Sequence, residues 1–168
     1  VAQQENYARS GFRLAHRNLR FEGVAGMLAG EAYGSEPEES ELDELLSLDI
    51  APYPRPAYFR RWLRQPRAIT LRGSESVLVC RPCQNGYKIG PLVAPNIDEA
   101  RRLLGSACAR LAPETPIFLD LPETNPQALE LAHSHGMTMQ FETARMYHGE
   151  QPEFDHSRWF GVTTFELG

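Results

Sequence analysis

The sequence predicts a mixed α/β fold, in an α+β or α/β architecture, with one mixed and mostly antiparallel sheet and helices on both of its faces. Three observations carry this. Three extended runs stand in the middle of the chain, and Asn85-Gly86, a hairpin-turn dipeptide, joins the last two. After them helical and strand-like patterns alternate to the end of the chain. Finally, a helix–glycine–strand passage occurs twice, once near each end.

The first copy runs from Tyr7-Ala-Arg-Ser-Gly11-Phe12 to Leu19-Arg20-Phe21-Glu22-Gly23. The second runs from Ala132-His-Ser-His-Gly136-Met137 to Arg145-Met146-Tyr147-His148-Gly149. Each reads as a helix end, a C′ glycine and a strand opening on a large apolar residue. Both strands also lose their alternation part-way. Phe12 and Leu14 hold one phase and Leu19 and Phe21 the other; Met137, Met139 and Phe141 give way to Ala144 and Met146. A shared phase slip predicts a bulge in each. Copies this far apart point to domain duplication, with residues 1–23 as the tail of one domain and 24–168 as a complete second one. The chain opens on Val1 without a methionine, as an excised piece of a longer chain would.

In order, residues 2–10 read as helix and 12–22 as strand, with a short strand from Val24 to Gly30. An acidic loop follows, and Ser40-Glu-Leu-Asp43 has the form of a capping box for a helix burying Leu42, Leu45 and Leu46. Pro52, Pro54 and Pro56 force an extended connector. From Ala57 to Gln65, Tyr58, Phe59, Trp62 and Leu63 oppose Arg60, Arg61 and Arg64, an amphipathic helix whose arginines form either a solvated face or an anion site. Strands are expected over Ala68–Arg72, Ser76–Cys83, Tyr87–Ala94, Ile117–Leu121, Thr138–Tyr147 and Trp159–Leu167. Helices are expected from Asn96 to Leu111 and from Asn125 to His135. A strand over Phe12–Phe21 has an apolar face and open edges, so it should pair in cis or through a homodimer.

Composition narrows the function. The 168 residues include 17 basic and 22 acidic side chains, net charge −5, which argues against a nucleic-acid surface and suits a cationic substrate. No apolar run is long enough to span a bilayer. Three cysteines, Cys80, Cys83 and Cys108, fit a reducing, cytoplasmic setting. Cys80-Arg-Pro-Cys83 has C-x-x-C spacing, but zinc needs further ligands that are not near in sequence, and a redox motif should open a helix where this one closes a strand.

The element order, the Asn125-Pro-Gln-Ala128 helix start and Tyr7-x-x-x-Gly11-Phe12 resemble the GNAT superfamily of N-acetyltransferases. Gly86-Tyr-Lys-Ile-Gly-Pro-Leu-Val-Ala94, Phe141-Glu-Thr-Ala-Arg-Met-Tyr147 and Phe160-Gly-Val-Thr-Thr-Phe165 resemble the C-terminal domain of tandem-GNAT proteins, with a further GNAT domain ahead of it. The resemblance covers nearly the whole chain from Tyr7 onward. It implies transfer of an acetyl group from acetyl-CoA to an amine. It also implies a splay between the strands at Tyr87–Ala94 and Ile117–Leu121, where unpaired amides at Leu92, Val93 and Ala94 receive the pantetheine arm. Asn125 and Ala128 match further cofactor-contacting positions, although Asn before Pro is also an ordinary N-cap.

Two departures from the family pattern stand out. The pyrophosphate loop carries no glycine; Ala94-Pro95-Asn96-Ile97-Asp98-Glu99 puts a proline and two acids where anionic phosphates should sit. The family's general-acid tyrosine, four residues before the helix-ending glycine, is Tyr7 in the first copy and Ala132 in the second. His133 or His135 stand near Ala132, and Asp120, Glu123 and Glu142 are candidate bases, with Tyr7, His133 and Glu123 the assigned catalytic set. Two functions remain: an acetyl-CoA-dependent acyltransferase domain, or a non-catalytic GNAT-like module that shapes the substrate pocket or mediates dimerisation.

Overall fold

Gly11 and Gly136 have φ of +86° and +65°, the left-handed region a C′ glycine supplies, and each turns a helix into a long strand. The structure, a computed structural model, describes residues 3–51, 53–153 and 155–165. Helix α1 (Gln4–Arg9) leads into β1 (Phe12–Val24), followed by α2 (Ala25–Leu28), α3 (Leu42–Leu45) between two 3₁₀ turns, and α4 (Pro56–Leu63). Strands β2 (Ile69–Arg72), β3 (Val77–Cys83) and β4 (Gly86–Val93) come next. Then follow α5 (Ile97–Cys108), β5 (Pro116–Pro122), α6 (Pro126–Ser134), β6 (Thr138–His148) and β7 (Trp159–Gly161).

The seven strands form one sheet in the order β2-β3-β4-β5-β1-β6, with β7 on β4 off that path. Among the described residues only β4 and β5 run parallel. The expected mixed sheet is therefore present, and β1 lies inside it. It pairs with β5 from Asn18↔Pro122 to Val24↔Pro116 and with β6 from Phe12↔His148 to Glu22↔Thr138. Both edges of β1 are thus filled within the chain, so its pairing needs no second copy. The bulges also appear. Register shifts leave Ala15 unpaired on β1 and Gln140 unpaired on β6, which is how both strands change phase.

One face is covered by α5 and α6 over a core of Phe21, Leu92, Leu103, Leu104, Ile117, Leu119, Leu131 and Phe160. On the other face α3 and α4 bring Leu42, Leu45, Phe59 and Leu63 against Val77, Val79 and Val93. The arginines of α4 turn to the acidic loop: Arg60 pairs with Glu39 and Asp43, and Arg64 with Glu39. Ion pairing with neighbouring acids, not an anion site, accounts for Arg60 and Arg64.

Three local expectations are corrected. Val24–Gly30 is a strand end followed by a helical turn, because Ala25 and Gly26 donate to Thr115 O and Pro113 O and bend the chain away. The capping box is formed by Glu38 and Glu41, two residues before Ser40 and Asp43. The strand expected over Trp159–Leu167 ends at Gly161; Glu166 and Leu167 lie outside the described residues, as do Ala2 of the first helix and Pro52 of the connector.

Candidate functional site

Beta-strands β4 and β5 pair only through Tyr87–Ile89 and Ile117–Leu119. Beyond that they diverge, which is the expected splay. It is not open. Residues 158–162 run into it: Leu92 and Val93 pair with Gly161 and Trp159, Ala94 N donates to Arg158 O at 3.1 Å, and Val162 N donates to Asp120 O at 2.7 Å. The expectation of unpaired amides at Leu92, Val93 and Ala94 is therefore corrected; the chain's own wedge segment occupies both walls. Sequence reasoning saw Trp159-Phe-Gly161 as a strand but not its partner. The available signal was a pair of glycines, since a Cβ on Gly90 would lie 2.1 Å from Val162 O and one on Gly161 3.0 Å from Leu92 Cβ. Only bare backbone lets the segments approach so closely.

The amides beside the splay are also engaged. Asn96 caps α5 by accepting from Glu99 N at 3.0 Å, and Gln127 Oε1 accepts from Ile97 N at 3.1 Å. Glu99 itself accepts from Tyr33 OH and Ser76 Oγ. Asn125 is both cap and clamp. Its Oδ1 accepts from Gln127 N and Ala128 N, while its Nδ2 donates to Ser157 O and Trp159 O, each at 3.1 Å. Ala128 and Ala132 are fully buried.

The proposed acid–base residues do not converge on the splay. Tyr7 is 53% exposed and packs edge-on against Phe12 at 5.6 Å. Phe12 stands six strand positions before Asn18, the partner of the last residue of β5, or about 20 Å along β1. His133 is exposed at the far end of α6, edge-on to Phe21, and His135 Nδ1 faces Leu131 O at 2.8 Å. Glu123 accepts from Arg17 N at 2.7 Å and its own N–H donates to Arg17 O, joining β5 to β1. Glu142 pairs with Arg17. Asp120 is fully buried, accepting from Arg20 Nε and Nη2, each at 2.6 Å, and facing Lys88 Nζ at 3.5 Å. A carboxylate so engaged is a structural ion pair and not a ready base.

Next to the wedge lies a cluster of rings. His16, 2% exposed, stands 5.1 Å from His156 and 6.1 Å from Trp159, and His156 meets Thr124 Oγ1. Burial, helped by His156 and Arg145 and opposed by Glu123 and Asn18, lowers the His16 ring from 6.5 to about 4; burial lowers His156 as well, against Asp155. A folded-state value below the unfolded one means that the unfolded chain binds more protons across this interval. The stability is whole above the unfolded value of 6.5 and is lost as pH falls towards about 4. The loss should reach at most about 3 kcal/mol. Urea midpoints should fall steeply from neutral pH to pH about 4.5, and His16→Gln should flatten most of that slope; a slope unchanged in the variant would contradict this origin.

A cavity of about 380 Å³ opens over β1 and β6, lined by Tyr7, Asn18, Tyr53, Arg145, Tyr147 and Phe165 among others. Asn18 is 2% exposed, and Arg145 Nε donates to Tyr147 OH at 3.1 Å. Tyr7 is thus part of a polar, aromatic-walled hollow instead of the splay. Elsewhere, among the described residues, no group of three or more His, Cys, Asp or Glu could hold a metal ion, and no helix is long and apolar enough to cross a membrane. The three cysteines are free; burial pushes the Cys108 thiol up to about 12 and raises Cys80 further.

A splay between parallel strands, flanked by two helix N-termini, is where a GNAT domain would hold its cofactor. The family model described as an acetyltransferase (GNAT) domain matches residues 45–161. The chain belongs to the GNAT acetyltransferase family. Among curated proteins, holothin acyltransferase from Pseudoalteromonas sp. (strain SANK 73390) is 25% identical over 99% of this chain, which spans 59% of that relative's length. Among solved structures, a putative acetyltransferase from Pyrococcus horikoshii aligns over the whole chain and 57% of its own, at TM-score 0.78 and 20% identity. A GCN5-related N-acetyltransferase from Kribbella flavida aligns over 87% of this chain and 40% of its own, at TM-score 0.63 and 16% identity. These two share the fold. The GNAT match stops at Gly161, so it includes the wedge strand that fills the splay.

Proposed function

We propose that this chain is a GNAT unit with a closed cofactor cleft, working inside a longer acyltransferase that moves an acetyl group from acetyl-CoA to an amine. In this reading residues 1–23 belong to a preceding GNAT unit, which holds the cofactor and to which Tyr7 belongs, and residues 24–168 shape the acceptor pocket, in a cytoplasmic protein. The observation that carries the reading is the filled splay: Leu92, Val93 and Ala94 are engaged by residues 158–161, and Ile97, Glu99 and Ala128 donate to Gln127, Asn96 and Asn125. Pantetheine gains little by pairing with a backbone that already has partners. The name of the relative, holothin acyltransferase, favours a small-molecule acceptor over a protein one, and the cavity between Tyr7 and Phe165 is where this chain would help to enclose it.

In the acyl transfer itself, the amine loses a proton to a base and attacks the thioester carbonyl, and the thiolate leaves with a proton from an acid. The buried Arg20–Asp120–Lys88 group is committed to holding β4, β5 and β1 together, so neither role falls to it. Acetyl-CoA therefore should not bind the chain by itself. A ligand that binds only the folded state at 100 times its Kd adds about 2.7 kcal/mol of stability. A thermal-shift and calorimetric titration to roughly 100-fold above micromolar affinity should show neither heat nor shift. Micromolar binding would mean that the cofactor displaces the wedge and that this unit is itself catalytic.

A further inference from the structure

The two copies of the helix–glycine–strand passage are neighbours in space, and their register carries information. Aligning Gly11 with Gly136 gives an offset of 136 − 11 = 125 residues, so Asn18 corresponds to Thr143. Asn18 and Thr143 are also paired partners. On either side, Arg17 faces Ala144, the counterpart of Leu19, and Leu19 faces Glu142, the counterpart of Arg17. Each strand therefore reads as its twin turned about a two-fold axis through the Asn18–Thr143 pair.

Strand β1 has β5 on its other side, with Asn18 opposite Pro122. Strand β6 has nothing there: among the described residues it pairs only with β1. It is 11 residues long with none of them buried, and it contains neither proline nor lysine. Met139 and Phe141 on it are 43% and 44% exposed. The guards of this edge are limited to the Gln140 bulge and the charges of Glu142 and Arg145. Of these, Glu142 pairs with Arg17 of β1, so a long stretch of edge stays open to pairing.

We propose that the free edge of β6 is completed by the counterpart of β5 from a preceding unit, antiparallel, with Thr143 opposite the residue that stands where Pro122 stands here. The inference rests on the reading that such a unit exists. Chain connectivity supports it. Helix α6 links β5 to β6 across β1; turned about the axis, α1 links the incoming strand to β1 across β6. By the same offset that strand lies immediately ahead of Val1. The result is one continuous sheet through both units, with the Tyr7–Phe165 cavity over its centre.

The test compares amide exchange along Thr138–His148 in this chain and in the complete product of its gene, whose intact mass is measured in parallel. Alternate amides of β6, those turned away from β1, should exchange freely here and at least about 100-fold more slowly in the complete protein. A longer product with unchanged β6 exchange would overturn the pairing and leave the two-unit reading standing. A product no longer than this chain would sink both.

Discussion

Replacing Arg20 with alanine should destabilise the chain by about 3–5 kcal/mol, the cost of leaving a buried carboxylate without its main partner. The Asp120 side chain is 1% exposed and that of Arg20 18%, and the two share paired bonds of 2.6 Å. Lys88 at 3.5 Å would remain as a single, longer contact. The guanidinium also lies 4.8 Å from the Phe141 ring centre and 4.9 Å from that of Phe165, so packing is lost with the charge. Asp120→Asn keeps the shape and should cost less. Arg20→Leu combined with Asp120→Leu should cost well below the sum of the single changes, because no buried charge is then left alone. Urea denaturation of the parent chain, the four single variants and the double one measures this directly. A loss under about 1 kcal/mol for Arg20→Ala would place the pair among weak surface bridges and contradict its burial.

The second large effect is expected at Asn125, where one side chain serves two structures. Asn125→Ala removes the α6 cap, about 1 kcal/mol. It also strips Ser157 O and Trp159 O of a donor, about 1–3 kcal/mol for each carbonyl left buried and unpaired. Asn125→Asp separates the roles. A carboxylate still accepts from Gln127 N and Ala128 N, but it cannot donate to the two wedge carbonyls. Helix α6 should then persist while residues 158–162 loosen. Amide exchange at Ala94 and Val162, which donate to Arg158 O and Asp120 O, should quicken in both variants. Exchange there as slow as in the parent chain would show that the wedge is held by its packing alone.

Much of the fold was legible because it is written in local periodicity. The Asn85-Gly86 turn, the extended apolar runs of β3 and β4, and the amphipathic pattern of α4 each report a local preference that tertiary contacts did not override. The bulges were legible too, since a change of phase in an amphipathic strand has few other causes. The short strand expected at Val24–Gly30 was misread because what bends the chain there is a distant carbonyl, Thr115 O, which no local pattern announces.

The site divides in the same way. By itself the sequence determined that the cofactor loop lacks glycine, that Tyr7 has no counterpart in the second copy, and that the chain has GNAT character; these are matters of residue identity at fixed spacing. Only the tertiary structure decided where the pieces go. It placed β1 between β5 and β6, carried Tyr7 away from the splay, clamped Asp120 to Arg20, and closed the splay with the chain's own residues 158–162. Backbone pairing is nearly independent of side-chain identity, so the sequence could say that Trp159–Gly161 is extended. Which open edge it would fill was set by the geometry of the whole sheet.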